Sequence, residues 1–388
     1  MESQNSGNKT FWWVIGVIVV ALLVWFGVLN GGQNISPASG QMVKIGVIAP
    51  MSGDTGAYGQ EVQRVVSYRI DQINQEGGKN GVKFEPVFED GKCAGNDSAS
   101  AFQKLATVDG VKFVIGGFCS SETMAIAPLA TEQKVLVISP ASSNPAIEGL
   151  SPYTYSLSYS DSKTGEDIAK EAGVYKRVAI ITEQNDFNIG IHDVFVSSMK
   201  EYPNTSIVSA EIFPKNNTDF RSILEKVRVT NPDAIILNPN AGVTAQNLLK
   251  QLAEITDWNG YQLISEYAYL SDSSRSAVGQ FSEGMIIIDA PNVTSDKLTK
   301  ESDAIVAAKG TLDTIGIYYT ASTLDATDLV MDLISEVGNN PQAAKEKLTS
   351  GSWDGFIGTV TFEGKNFVKI TASGKYVVQN GKAVFQSQ

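Results

Sequence analysis

The sequence predicts an α/β protein of two lobes, each with a parallel sheet, preceded by one transmembrane helix. Three observations lead there. Short Val- and Ile-rich runs alternate with stretches of helical periodicity, the pattern of strands covered on both faces by helices. Roughly nine such units exceed one open sheet of the usual ~4–6 strands, so the body divides in two. Near the N-terminus, 19 consecutive uncharged residues from Phe11 to Leu29, FWWVIGVIVVALLVWFGVL, stand apart from the rest.

As a helix, that run measures about 28 Å, against a hydrocarbon core of roughly 30 Å. Trp12 and Trp13 at one end and Trp25 toward the other suit the two interfaces. A cleaved secretory signal has a shorter apolar run, about 7–15 residues, and a small-residue cleavage site. No convincing A-x-A follows here, so an uncleaved, single-pass anchor is expected over 11–29. Lys9 precedes the span and the next basic residue is Lys44, which places residues 1–10 in the cytoplasm and the body outside. Residues 30–42, rich in Gly, Ser, Asn and Gln, read as a flexible tether.

The body opens with VKIGVIAP (43–50), a buried strand, and continues into Ala57–Gln75 with Val62, Val65, Val66, Ile70 and Ile73 at helical spacing. Further strands are expected at KFEPVFED (83–90), KFVIGG (112–117), VLVISP (135–140), RVAIIT (177–182), SIVSAEIF (206–213), DAIILN (233–238), YQLIS (261–265) and GMIIID (284–289). The last stretch, GTVTFE, NFVKITA and KYVVQNGKAVF, reads as short antiparallel strands with Gly turns.

Composition closes off much of function space. Hydrophobic residues at 43% and charged residues at 19% describe a globular protein. With 30 Lys+Arg against 42 Asp+Glu over 388 residues, the net charge of −12 argues against a nucleic-acid partner. The one histidine, His192, falls in a predicted helix and reads as a packed or surface residue. No nucleophile elbow, H-E-x-x-H or C-x-x-C is present, and neither a metal nor a cofactor is expected. An α/β hydrolase is therefore the weaker alternative to a binding protein.

In α/β sheets ligands bind beyond the carboxyl ends of the strands. The loop VIGGFCSSETMAIAPLA (114–130) ends a strand and places Ser120 and Ser121 at a helix start, where free N–H groups attract an anion, although Ser there is also an ordinary cap. In VISPASSNPAIEG (137–149), Pro140 and Pro145 bracket Ala141, Ser142, Ser143 and Asn144, an extended segment whose carbonyls can accept from an ammonium. Two such loops side by side suit a small ligand with a carboxylate. The glycines of PMSGDTGAYGQE (50–61) match neither nucleotide fingerprint, and its Tyr58 can wall a cleft. Outside the cell Cys93 and Cys119 are expected to pair, closing a loop worth roughly 3–4 kcal/mol.

IGVIAPMSGDTGAYGQE, INQEGGKNGVKFEPVFEDGKC, VKFVIGGFCSSET and ISPASSNP resemble, in order and spacing, the leucine/isoleucine/valine-binding proteins, amino-acid-binding components of ABC importers with the type I periplasmic-binding-protein fold. The resemblance spans Val43 to about Phe362 and is strongest over 43–145. It implies two doubly wound lobes joined by three crossover strands, one lobe of residues 43–160 plus 289–365 and the other of 161–288 plus 366–388. It also implies a monomer that closes on an amino acid, branched or apolar, and presents it to a permease without doing chemistry. Carried over, Ser120 holds the ligand carboxylate, the Ala141 carbonyl accepts the ammonium, and Ser143 beside Ser142 contacts both charged ends. Tyr58, Phe187 and Tyr319 match wall aromatics, and Cys93 and Cys119 match the family disulfide. Asn240 stands where an aromatic is common. Glu266 is the acidic residue for the ammonium, although ungapped alignment puts Tyr267 at that position. A sensory ectodomain of the same fold, or a binder of a small amide or carboxylic acid, is the alternative.

Overall fold

The structure, a computed structural model, describes residues 42–312, 314–370 and 373–387. The tail expected over 1–10, the anchor over 11–29 and, apart from Met42, the tether over 30–42 lie outside the described residues. Among the described residues, no helix is long and apolar enough to cross a membrane.

The first lobe is a five-stranded sheet of β1 (Met42–Ala49), β2 (Lys83–Asp90), β3 (Phe113–Ile115), β4 (Leu136–Ser139) and β5 (Thr154–Ser156), in the order β2-β1-β3-β4-β5, parallel throughout. Helices α1 (Gly56–Gln75), α2 (Gly95–Thr107) and α3 (Ser120–Gln133) connect the first four strands. The central strands β1, β3 and β4 are mostly apolar because both of their faces are covered. Ile45 and Val47 of β1, Phe113 and Ile115 of β3, and Leu136 and Ile138 of β4 share one core with Val62, Val66 and Ile70 of α1. Ile48, Val114 and Val137 point the other way, into a second core with Phe102 and Leu105 of α2 and Ile126 of α3. That period of two is the pleat, and each fully buried Val, Leu or Ile contributes about 1.5–3 kcal/mol.

The second lobe repeats the plan. After α4 (Asp161–Ala172) come β6 (Arg177–Gln184), α5 (Asp186–Ser198), β7 (Ser206–Pro214), α6 (Arg221–Val229), β8 (Ala234–Asn238), α7 (Val243–Ala253), β9 (Gln262–Ser265), the short α8 (Asp272–Arg275) and β10 (Ile286–Asp289). Its parallel strands run β7-β6-β8-β9-β10, the same winding as the first lobe. Helices α9 (Asp296–Lys309), α10 (Gly316–Val337) and α11 (Pro341–Ser350) return to pack on the first lobe, and a two-strand ribbon follows, β11 (Trp353–Asp354) with β12 (Thr359–Val360). The chain then rejoins the second sheet as the antiparallel hairpin β13 (Gly374–Gln379) and β14 (Lys382–Ser387). It therefore passes between lobes three times: after β5, after β10 and after β12.

One expected strand is not there. Over 366–370 the chain makes a single bridge, Ser156 with Phe367. Asn366 fixes it by side chain instead, its Nδ2 donating to the carbonyls of Ser151 (2.8 Å) and Thr154 (2.7 Å), while Phe367 and Val368 are buried. The apolar alternation there reflects burial of a crossover, not a ladder.

Candidate functional site

The carboxyl ends of β1, β3 and β4 meet those of β6, β8 and β9 across a cleft of about 490 Å³. The first lobe contributes Cys93, Phe118, Cys119, Ser120, Ser121 and Ala141, the second Asn185, Phe187, Asn240 and Tyr267, and α10 contributes Tyr319. The first wall exists because of two glycines. A Cβ on Gly116 (φ +132°) would sit 2.2 Å from the Ile48 carbonyl oxygen, and one on Gly117 2.3 Å from the Glu122 Cβ. Only glycine lets β3 turn this tightly into α3.

Helix α3 starts at the cleft, and Glu122 holds its first turn by accepting the N–H groups of Cys93 and Cys119, both at 3.0 Å. Burial pushes this carboxyl up to about 7 despite those bonds. The disulfide Cys93–Cys119 ties the same two loops together. Ser120 is buried, and its Oγ accepts from the N–H groups of Ser143 and Asn144, both at 3.2 Å. With its lone pairs used, its O–H proton is what it can offer a ligand. The N–H groups of Ser120 and Ser121 open the helix and have no intrahelical acceptor.

Five aromatic rings bridge the two walls. Tyr58 lies 6.3 Å from Phe118 and 6.3 Å from Tyr267, Tyr319 lies 6.2 Å from Phe118 and 5.6 Å from Tyr267, and Phe187 lies 6.0 Å from Tyr267. Burial pushes the Tyr58 phenol up to about 12. The lobes also touch directly, Lys215 Nζ donating to the Cys93 carbonyl at 2.8 Å and Asn144 Nδ2 to that of Asp186.

Of the sequence-predicted residues, the structure brings Ser120, Ala141, Phe187, Asn240 and Tyr319 to the cleft surface, with Tyr58 against its rings. Ser142 and Ser143 stand behind it. The Ser142 hydroxyl lies 2.7 Å from Thr123 Oγ1 and within 3.0 Å of the Gly117 carbonyl, and its own carbonyl accepts from Ser156 Oγ. The Ser143 hydroxyl donates to Asp161 Oδ2 at 2.7 Å. Glu266 is buried at the turn after β9, with Oε2 accepting the Ala268 N–H at 3.0 Å, while Oε1 has no hydrogen-bond partner among the described residues. Burial, reinforced by Asp289, Asp161 and Glu183, holds this carboxyl well above its ordinary range. Its neighbour Tyr267 lines the cleft. Phe118 and Asn185 also line it; neither carries a charge or a motif that would mark it in the sequence.

Behind Tyr319 lies a buried acidic hinge. Tyr319 Oη donates to Asp289 Oδ1 at 3.3 Å at the end of β10, and Asp161 opens α4. Burial raises Asp289 to about 7 and Asp161 to about 8. Among the described residues no group of three or more His, Cys, Asp or Glu is arranged to hold a metal ion.

Two doubly wound sheets sharing one cleft at their carboxyl ends are the architecture expected above, and residues 42–382 match the profile of the periplasmic binding proteins. The chain belongs to that family. Periplasmic binding proteins capture solutes and are not enzymes. This one is 25% identical over 287 residues to a Leu/Ile/Val-binding protein of Rhizobium johnstonii, covering 71% of this chain and 74% of the relative. In fold it is similar to a leucine-binding protein of Thermotoga maritima, TM-score 0.78 at 21% identity, covering 89% of this chain and 98% of the other. It is equally similar to an R. palustris ABC-transporter solute-binding protein in complex with 4-hydroxybenzoate, TM-score 0.79 at 21% identity, covering 89% and 96%.

Proposed function

We propose that this periplasmic binding protein is held to the outer face of the cell membrane by residues 11–29 and captures an α-amino acid with a branched or apolar side chain for an ABC permease. The observation that carries the ligand reading is the start of α3 in the cleft wall, where Ser120 has a proton to donate and two helix N–H groups lack intrahelical acceptors. These meet a carboxylate, and the rings of Phe118, Phe187, Tyr267 and Tyr319 accept an apolar side chain. The Ala141 carbonyl, on the cleft surface, takes one ammonium proton, and the unpartnered oxygen of Glu266 takes another once Tyr267 shifts. Ser142 and Ser143 position the segment that carries Ala141. The 43–160 plus 289–365 and 161–288 plus 366–388 lobes close as a monomer around the ligand.

A second reading has an observation of its own. The described lining carries no acidic side chain, and an aromatic-walled cleft with an anion site at one end also suits an aromatic carboxylic acid. The 4-hydroxybenzoate complex of the R. palustris protein is consistent with that. Glu266→Gln separates the two. An amino-acid binder loses affinity for the amino acid at least about tenfold more than for its des-amino analogue, because the charge-assisted bond is made only to the ammonium. Equal small effects on both reject the ammonium role and favour the acid.

A further inference from the structure

A second chamber, of about 670 Å³, opens between the lobes next to the aromatic cleft. Asn240 lines both spaces and so stands at their boundary, its Oδ1 accepting the Ala241 N–H at 3.1 Å. The two differ in chemistry. The aromatic cleft carries no charged side chain, whereas the second chamber is lined by Asp54, Lys92, Glu183, Lys215 and Thr244 beyond Asn240. Glu183 is buried and accepts the Asn240 N–H at 2.8 Å, which fixes this boundary residue to the chamber wall. Lys215 Nζ donates to the Cys93 carbonyl, and Cys93 lines the aromatic cleft, so this bond stands on the boundary between the two spaces. Lys92 is paired with Asp97 at 2.8 Å.

We propose that the second chamber is a subsite for the tail of a longer ligand, and that the tail it takes is an uncharged amide or ureido group. The inference rests on the reading that the aromatic cleft holds an amino acid by its carboxylate, and it replaces the branched or apolar side chain of that reading with one ending in an amide or ureido group. The lining sets two carboxylates beside two ammonium groups, that of Lys92 already paired with Asp97, so a tail of either charge meets a like charge as well as an unlike one. A group that both donates and accepts finds partners on each side. Asp54 and Glu183 take its N–H protons, and Lys215, Thr244 and the Asn240 carboxamide meet its carbonyl. An alkyl tail of the same length satisfies none of them, and a wall of polar groups left without partners discriminates against it.

The test is calorimetric titration of the detergent-solubilised full chain with L-glutamine and L-citrulline against L-norvaline, L-glutamate, L-lysine and L-leucine. The amide and ureido amino acids are expected to bind at least about tenfold tighter than norvaline, the yield of one hydrogen bond to a charged group. Asp54→Ala combined with Thr244→Val is expected to erase that advantage while leaving norvaline within about twofold and the thermal midpoint of the free protein unchanged. Leucine and norvaline binding as well as glutamine and citrulline, or a charged tail binding best, overturns the subsite and leaves the proposed function standing. Silence from every amino acid overturns both.

Discussion

Replacing Ser120 with Ala tests the cleft's chemistry at one atom. The hydroxyl oxygen accepts from two backbone N–H groups, those of Ser143 and Asn144 at 3.2 Å each, and its remaining valence is the proton available to a ligand carboxylate. Loss of one hydrogen bond to a charged group costs about 1.5–3 kcal/mol, so affinity is expected to fall about 10- to 100-fold. The same substitution leaves two buried N–H groups without that acceptor, costing about 1–3 kcal/mol each in stability and lowering the thermal midpoint by several degrees. Binding and folding must be separated, and Ser142 provides the control. Its hydroxyl is as buried and as well bonded, to Thr123, Gly117 and Phe118, but lies behind the cleft wall. Ser142→Ala should lower the midpoint while changing affinity less than about threefold, the size of a small indirect effect. Titration and thermal unfolding of both variants form the assay. A Ser120→Ala protein that loses stability but binds like the wild type would show that this hydroxyl only supports the loop.

Three further outcomes are expected. Asp161, Asp289 and Glu122 are raised by burial to about 8, 7 and 7, so the folded protein keeps protons that the unfolded chain releases above about pH 4. Their contribution is full below that pH and disappears as pH rises through 7 to 8; the thermal midpoint should fall from pH 5 to pH 8.5, more shallowly in Asp161→Asn, and a flat or rising profile contradicts the burial of these carboxyls. Reducing the Cys93–Cys119 bond, which closes a separation of 26 residues, should cost roughly 3–4 kcal/mol in denaturant unfolding and also weaken binding, because both cysteines line the cleft. The full chain should stay in the membrane pellet after a carbonate wash, whereas a soluble form beginning near residue 40 means that the apolar segment is a cleaved signal.

What the sequence disclosed, and what it withheld, follows physical lines. Strands such as β1, β6 and β8 are legible because burial on both faces gives each an unbroken apolar run at its centre. The start of α3 is legible from two glycines and a run of hydroxyls. Strands β5 and β11 are not, since two or three residues carry no period and pair only because the chain brings them alongside; β12, within GTVTFE, is read as a short antiparallel strand. The second lobe's winding copies the first, yet no sequence repeat announces it, because many apolar strands satisfy one topology. Within the site, the residue types were readable but their directions were not. Ser120 faces the cleft and Ser142 the interior, a difference set by how β3 and β4 end. Glu266 and Tyr267 are adjacent in a tight turn, and one step along it decides which of them a ligand meets. The hinge pair Asp161 and Asp289 lies 128 positions apart (289 minus 161) and is assembled only by the crossovers.

The measurement that bears most directly on the whole account is calorimetric titration of the full chain, stripped of carried-over ligand by unfolding and refolding, against the twenty amino acids, their des-amino analogues and hydroxybenzoates. Saturable binding of an amino acid at about micromolar Kd or tighter, tens of times weaker for its des-amino form, is the expected result. Binding of the des-amino acids or hydroxybenzoates alone would contradict it, leaving the fold intact and Glu266 without a ligand ammonium to meet.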